Sequence, residues 1–179
     1  NGVFPEDALV AWAARELGRP VKWTGERSES LVSDTHGRDA ELDSEMALDE
    51  HGKILAIRVN ADYGVGAYLA ASAPVPACIG SMVYQNVYDF GAMHIHLRVV
   101  FSNTTWTGPY RGAGRPEAVY VTERLLDIAA DKIGIDPVEI RQRNYIAEEK
   151  MPYTTLIPTV YDSGDFSGIT THAAEVADI

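Results

Sequence analysis

The sequence contains one cysteine, Cys78, so the chain by itself forms neither an internal disulfide nor a cysteine-ligated iron–sulfur cluster. No apolar run approaches the ~18 residues that a membrane-spanning helix needs. A basic stretch followed by an apolar one, the mark of a signal peptide, is also missing. Cations are scarce, with 15 Lys and Arg against 26 Asp and Glu and a formal net charge of −11. That balance disfavours nucleic acid and anionic membrane as partners, since both select basic patches. A Gly-x-Ser-x-Gly elbow, a CxxC pair and an HExxH helix are all absent, which leaves serine-hydrolase and common zinc chemistries without support. No repeat or low-complexity tract appears.

What remains is the composition of a soluble globular protein: 179 residues, 46% hydrophobic and 23% charged. This is one domain, residues 1–179, large enough for a real core. The start at Asn1, without Met and almost inside a helix, reads as a piece cut from something longer.

Residues 5–17 have a helical stripe of Leu9, Trp12, Ala13 and Leu17, opened by Pro5 and acidic residues and stopped by Gly18. Residues 21–23 form a short β-like run, and 25–37 are polar and aperiodic, a loop. A hairpin follows. Leu42, Ser44, Met46 and Leu48 alternate with Glu41, Asp43 and Glu45; residues 49–52 make the turn; Leu55, Ile57, Val59 and Ala61 are expected on the buried face of the return strand. The acidic set lies opposite an apolar face, so it reads as a solvated strand side and not as paired acid–base carboxylates. Residues 62–80 are rich in small side chains, and periodicity leaves loop and short helix open. Residues 92–102 form a strand whose Met93, Ile95, Leu97, Val99 and Phe101 alternate with His94, His96 and Arg98. The His94-x-His96 pair lacks further ligands nearby and is read as a solvated or substrate-facing side more than as a zinc site.

A helix after residue 117 carries Val121, Leu125, Ile128 and Ala129 and stops at Gly134. Asp136, Pro137 and Glu139 open the next with a capping-box pattern. Residues 148–168 are loop-like, and 170–178 form a final helix. The fold class expected is α+β, antiparallel strands with flanking helices.

Between the third strand and its helix lies Gly108-Pro109-Tyr110-Arg111-Gly112-Ala113-Gly114-Arg115-Pro116-Glu117. Its glycines and prolines exclude a helix interior or a central strand. Small residues at a helix N-terminus let backbone amides meet an anion, and two arginines flank them. A plain strand-to-helix turn without ligand is the simpler alternative. Gly112-x-Gly114 lacks the third glycine of a dinucleotide fingerprint, and no βαβ alternation surrounds it.

That loop is joined by Asn103-Thr104, Glu123-Arg124, Asp127, residues 134–137, residues 139–141 and Asn144-Tyr145-Ile146. Together they resemble the large, molybdenum-cofactor-binding subunit of the xanthine oxidase/aldehyde oxidase/carbon monoxide dehydrogenase family. Residues 18–23, Arg38-Asp39, Gly66-Ala67-Tyr68, Met151-Pro152-Tyr153 and residues 161–164 agree. The resemblance covers nearly the whole chain as an internal fragment of part of a molybdopterin-binding domain.

The resemblance implies a molybdenum–pterin cofactor of the molybdopterin cytosine dinucleotide type, bound by Arg111, Gly112, Ala113 and Gly114. It implies a substrate pocket touching Tyr110, Ala113 and Arg38. It also implies an iron–sulfur small subunit and an FAD-binding medium subunit as partners, in the cytoplasm. The implied reaction is oxidation of an aldehyde or an N-heteroaromatic carbon with water as oxygen source. No catalytic residue and no metal ligand falls in this chain, because the family's general-base glutamate aligns downstream, so the chain is expected to be catalytically incomplete. Ala113 stands where xanthine-oxidising members carry an aromatic, which implies a roomier pocket. Carbon monoxide oxidation is the alternative activity; Gly112 stands where copper-containing members have a cysteine ligand, which argues against it. In isolation the chain would be a non-catalytic module.

Overall fold

The computed structural model describes residues 3–70 and 72–178. Three strands form the central sheet: β1 (Ala40–Leu48), β2 (Ile54–Gly64) and β3 (Ala92–Val100), in the order β1-β2-β3. β1 and β2 pair antiparallel through the Asp49–Gly52 turn, as the alternation predicts. One Asp49 carboxylate oxygen caps the turn by accepting the His51 and Lys53 amides at 2.9 and 2.8 Å. The Lys53 amide bond holds that carboxyl below its usual pKa range. β3 pairs parallel to β2, so the sheet is mixed. Residues 65–91 make the crossover such a pairing requires, and they include the helix α3 (Val75–Ser81) that periodicity left undecided.

One sheet face packs against the helices. Ile57, Val59, Ala61 and Tyr63 of β2 meet Ala118, Val121, Leu126, Ala129 and Ala130 of α4 (Arg115–Ile133), with Tyr84, Tyr88 and Phe90 completing the cluster. Leu55 does not join them; it is 50% exposed. The register slips between Ala47 and Leu48, so Leu48 pairs with Ile54 while Ala47 pairs with Ala56. The extra residue of this bulge turns Leu55 outward and Ile54 into the core. On the opposite face Glu45 pairs with Arg58, and Asp62 takes Arg98 Nε at 2.6 Å. His94 and His96 share that exposed face, beside Arg58 and Asn60.

α5 (Pro137–Gln142) is capped by the Asp136 carboxylate, which accepts from Val138 and Glu139 amides at 2.8 and 3.1 Å. The reciprocal half of the box is not made, because the Glu139 carboxylate pairs with Arg143 instead. Arg141 staples α5 to α4, reaching Glu123 at 2.7 Å and Asp127 at 2.8 Å. Burial disfavours charge on Arg141, but the two carboxylates outweigh it and raise its pKa. Asn144 is fully buried with every amide position used. Its Nδ2 donates to Gly52 and Ile140 carbonyls at 2.8 Å each, and its Oδ1 accepts the Ile54 amide at 2.8 Å.

Four further expectations change. Residues 25–37 contain a helix, α2 (Arg27–Ser33), whose N-terminus is closed by Glu29 accepting the Glu26 amide at 3.3 Å; seven residues are too few for periodicity to show. Residues 21–23 pair with no strand among the described residues. α6 (Phe166–Ala177) begins earlier than 170 because Asp165 caps it, accepting the Gly168 amide at 2.7 Å. Within 148–168, a 3-10 turn (Glu148–Lys150) and a two-stranded ribbon, β4 (Tyr153–Thr154) with β5 (Val160–Tyr161), interrupt the loop. The helix α1 (Pro5–Leu17) forms as expected, yet none of its residues is buried, and Leu9, Trp12 and Leu17 face outward.

Candidate functional site

The loop before α4 is suspended from the C-terminal end of the sheet. The Thr107 hydroxyl donates to the Gly64 carbonyl at 2.8 Å and its amide to Val65 at 3.2 Å. Alongside runs the 36–38 segment: the His36 amide donates to Trp106 at 3.2 Å and the Gly108 amide to His36 at 2.9 Å. This parallel bridge carries Arg38 to the loop, although 73 residues separate it from Arg111.

Three successive residues in the loop have positive φ: Gly112 at 95°, Ala113 at 48° and Gly114 at 92°. The Ala113 amide closes a turn on the Tyr110 carbonyl at 2.7 Å, and the Arg115 amide one on Gly112 at 3.1 Å. The Gly112 and Gly114 amides have no acceptor among the described residues. Two of the three small residues thus leave their amides without a bond among the described residues, while Ala113 spends its amide on the turn. Gly114 is buried against α3, where a Cβ would lie 2.8 Å from the Gly80 nitrogen. At Gly112 a Cβ would lie 2.6 Å from Pro116 Cγ. Glycine is thus required twice, by φ and by space.

The loop is positively charged on an acidic protein. Arg111 and Arg115 are exposed, and neither forms an ion pair among the described residues; Arg115 reaches only the Gly112 carbonyl, at 3.4 Å. Arg38 differs. Its Nη1 donates to Glu117 at 2.9 Å, its Nη2 to the Arg111 carbonyl at 2.8 Å, and its guanidinium carbon lies 5.0 Å from the Tyr110 ring centroid. The structure therefore brings Arg38, Tyr110, Arg111, Gly112, Ala113 and Gly114 into one place. Glu117 belongs there too, and the sequence reading did not assign it to the site. An acid in the first turn of a helix normally answers the helix dipole, and nothing in its spacing names Arg38.

Two further groups lie under the loop. The Tyr63 and Tyr84 hydroxyls are buried beside each other, and neither makes a well-formed hydrogen bond among the described residues. Burial pushes both phenol pKa values up. A Cβ on Gly80 would lie 3.2 Å from the Tyr63 hydroxyl and 3.0 Å from the Gly114 carbonyl, which places Tyr63 at the floor of the loop. No group of three or more His, Cys, Asp or Glu suited to a metal ion occurs among the described residues.

Residues 1–145 match the family model of the molybdopterin cofactor-binding domain. The chain is 37% identical over 183 residues to the 6-hydroxypseudooxynicotine dehydrogenase complex subunit gamma of Paenarthrobacter nicotinovorans, covering 99% of this chain and 23% of that protein. It is 38% identical over 168 residues to the carbon monoxide dehydrogenase large chain of Hydrogenophaga pseudoflava, covering 92% and 21%. Among solved structures, quinoline 2-oxidoreductase from Pseudomonas putida 86 superposes with a TM-score of 0.93 at 30% identity, over 98% of this chain and 23% of that one. The chain thus spans less than a quarter of the length of these relatives.

Proposed function

Because the chain belongs to the molybdopterin cofactor-binding domain family, we propose that its 108–117 loop forms one wall of the molybdenum–pterin site in a hydroxylase large subunit. The observation that carries this reading is the pair of acceptor-free amides at Gly112 and Gly114, held in left-handed backbone at the N-terminus of a 19-residue helix. Such a cradle fits an anionic, hydrogen-bond-accepting group, because helix-terminal amides carry partial positive charge and cost no reorganisation on binding. A side chain would strike Pro116 at position 112 and the backbone of α3 at position 114, so both places require glycine. When bound, the cofactor supplies two-electron oxidation with oxygen taken from water.

The roles of the chain's own residues follow. Gly112 and Gly114 donate their amides, and Arg111 adds a permanent charge with directed donors. Tyr110, which is exposed, and the Ala113 methyl line the substrate side, leaving room for an aldehyde or an N-heteroaromatic ring. No base is assigned to this chain; Glu117, the carboxylate at the loop, is committed to Arg38. The isolated 179-residue chain is accordingly expected to bind or pack without catalysing. The working enzyme would be a cytoplasmic complex with an iron–sulfur subunit and an FAD subunit. The relatives' names favour small carbon substrates, among them N-heterocycles. Carbon monoxide oxidation with a copper thiolate at position 112 is disfavoured on space as well as on sequence, since Pro116 crowds any side chain there.

The test is to express the complete gene that carries this sequence with its partner subunits, and to measure molybdenum, pterin nucleotide and hydrogen exchange. The expected result is a loaded complex in which the Gly112 and Gly114 amides exchange more slowly than in the cofactor-free form. A complex with neither metal nor pterin would end the proposal.

A further inference from the structure

Arg38 adopts a left-handed backbone conformation, φ 60°, at the end of the segment that lies beside the loop. Its two hydrogen bonds fall on either side of the three left-handed residues: Arg111 precedes them and Glu117 follows them. An L-residue such as Ala113 keeps φ 48° only where its surroundings over-determine it. The loop's own turns supply two amide bonds, and the Arg38 fork adds a tie from outside. A guanidinium holds its donors at fixed separation, so gripping Glu117 with one nitrogen fixes where the other meets the Arg111 carbonyl. The Glu117 side chain is 10% exposed, so the anchor of the pair is withdrawn from solvent, while Arg38 reaches it from an exposed position at 35%. The Tyr110 ring covers the guanidinium.

We propose that Arg38 is a positioning residue. Anchored by Glu117, it clamps the Arg111 carbonyl and sets the shape in which Gly112 and Gly114 present their amides; it does not orient substrate through its own charge. The inference rests on the reading of the loop as a cofactor wall and assigns the device that holds that wall in place.

Arg38→Lys keeps a cation for Glu117 but loses the second, rigidly placed donor. Glu117→Gln keeps the shape and removes the charge. In the holoenzyme that carries this chain, each single variant and the double variant are compared for kcat, KM and molybdenum–pterin content. The same proteins are treated with trypsin, and cleavage of the Arg111–Gly112 bond is followed by mass spectrometry.

For a positioning role, each single variant lowers kcat by ~10–100-fold, as is usual for outer groups that orient a metal centre, with KM held. The double variant is no worse than the worse single, because both remove one clamp. Cleavage at Arg111–Gly112 becomes about tenfold faster or more, since the scissile carbonyl has been released. If Arg38→Lys does not fold, the cleavage rate of Glu117→Gln decides. The proposal is overturned if Arg38→Lys raises KM at unchanged kcat while Glu117→Gln keeps parental kinetics and cleavage, or if the two effects add. Wild-type protein free of molybdenum and pterin would defeat the functional reading alone; the cleavage rates would still decide the clamp.

Discussion

A Cβ on Gly114 would overlap the carbonyl oxygen of Pro76. This contact seats the loop on the backbone of α3 and explains why two elements distant in sequence fit without a side chain between them. It joins the candidate site to the core, because α3 and α4 pack on the same sheet face.

Gly114→Ala should therefore be damaging twice over. Left-handed backbone costs an L-residue roughly 1–2 kcal/mol, and the overlap with Pro76 adds about 1–3 kcal/mol as the helices separate. Thermal unfolding checks the stability loss, and pterin content checks the site. An alanine variant with parental melting would mean that α3 does not support the loop.

Asn144→Ala removes three hydrogen bonds and leaves the Ile54 amide and two carbonyls buried without partners. Each orphaned group costs about 1–3 kcal/mol, so a loss of at least ~3 kcal/mol is expected. Urea unfolding measures it. A loss under ~1 kcal/mol would show that these backbone groups find other partners.

The buried tyrosines should separate into two classes. Tyr88 donates to Glu123 at 2.8 Å, so Tyr88→Phe should cost about 1.5–3 kcal/mol, the range for a bond to a charged acceptor. Tyr63→Phe and Tyr84→Phe remove hydroxyls that lie beside each other without a well-formed bond and should cost under ~1 kcal/mol. Calorimetry of the three variants distinguishes them. A clear loss in Tyr63→Phe would show that its hydroxyl is bonded after all, to Tyr84 or to a water beneath the loop.

Stability should fall in acid partly through Asp89. Burial opposes its ionisation, but the Lys150 ammonium and the Tyr153 hydroxyl outweigh burial and hold its carboxyl below the usual range. With a folded-state pKa below the unfolded one, the unfolded chain binds the proton more readily. The contribution is complete above the unfolded pKa, near ~4, and is lost as pH falls through the lowered folded value. Urea midpoints measured from about pH 5 down to about pH 3 should drop less steeply in Asp89→Asn than in wild type. Parallel slopes would contradict this.

Much of the scaffold was legible because it is written in local rules. The period-two pattern and Gly52 gave the β1–β2 hairpin, and the Gly114–Gly134 interval gave α4 with its stops at both ends. The loop's glycines announced a backbone that side chains cannot follow, and φ values of 95° and 92° are the reason. Leu55 was misplaced because a bulge shifts parity by one residue, and parity is all that alternation reports. α1 was legible as a helix, while its lack of burial was not, since a hydrophobic stripe says that a face wants cover and not where the cover lies.

By itself, then, the sequence determined much of the local backbone: where the long strands alternate, where α1, α4 and α5 start and stop, and which glycines admit left-handed turns. Only the tertiary structure decided that β3 lies parallel to β2, that Gly114 rests on α3, and that Arg38 and Glu117, 79 residues apart, meet across the loop. The physical reason is range. Dihedral preference and side-chain periodicity act within a few residues, whereas a clamp between distant charges exists only after the sheet has brought their backbones together.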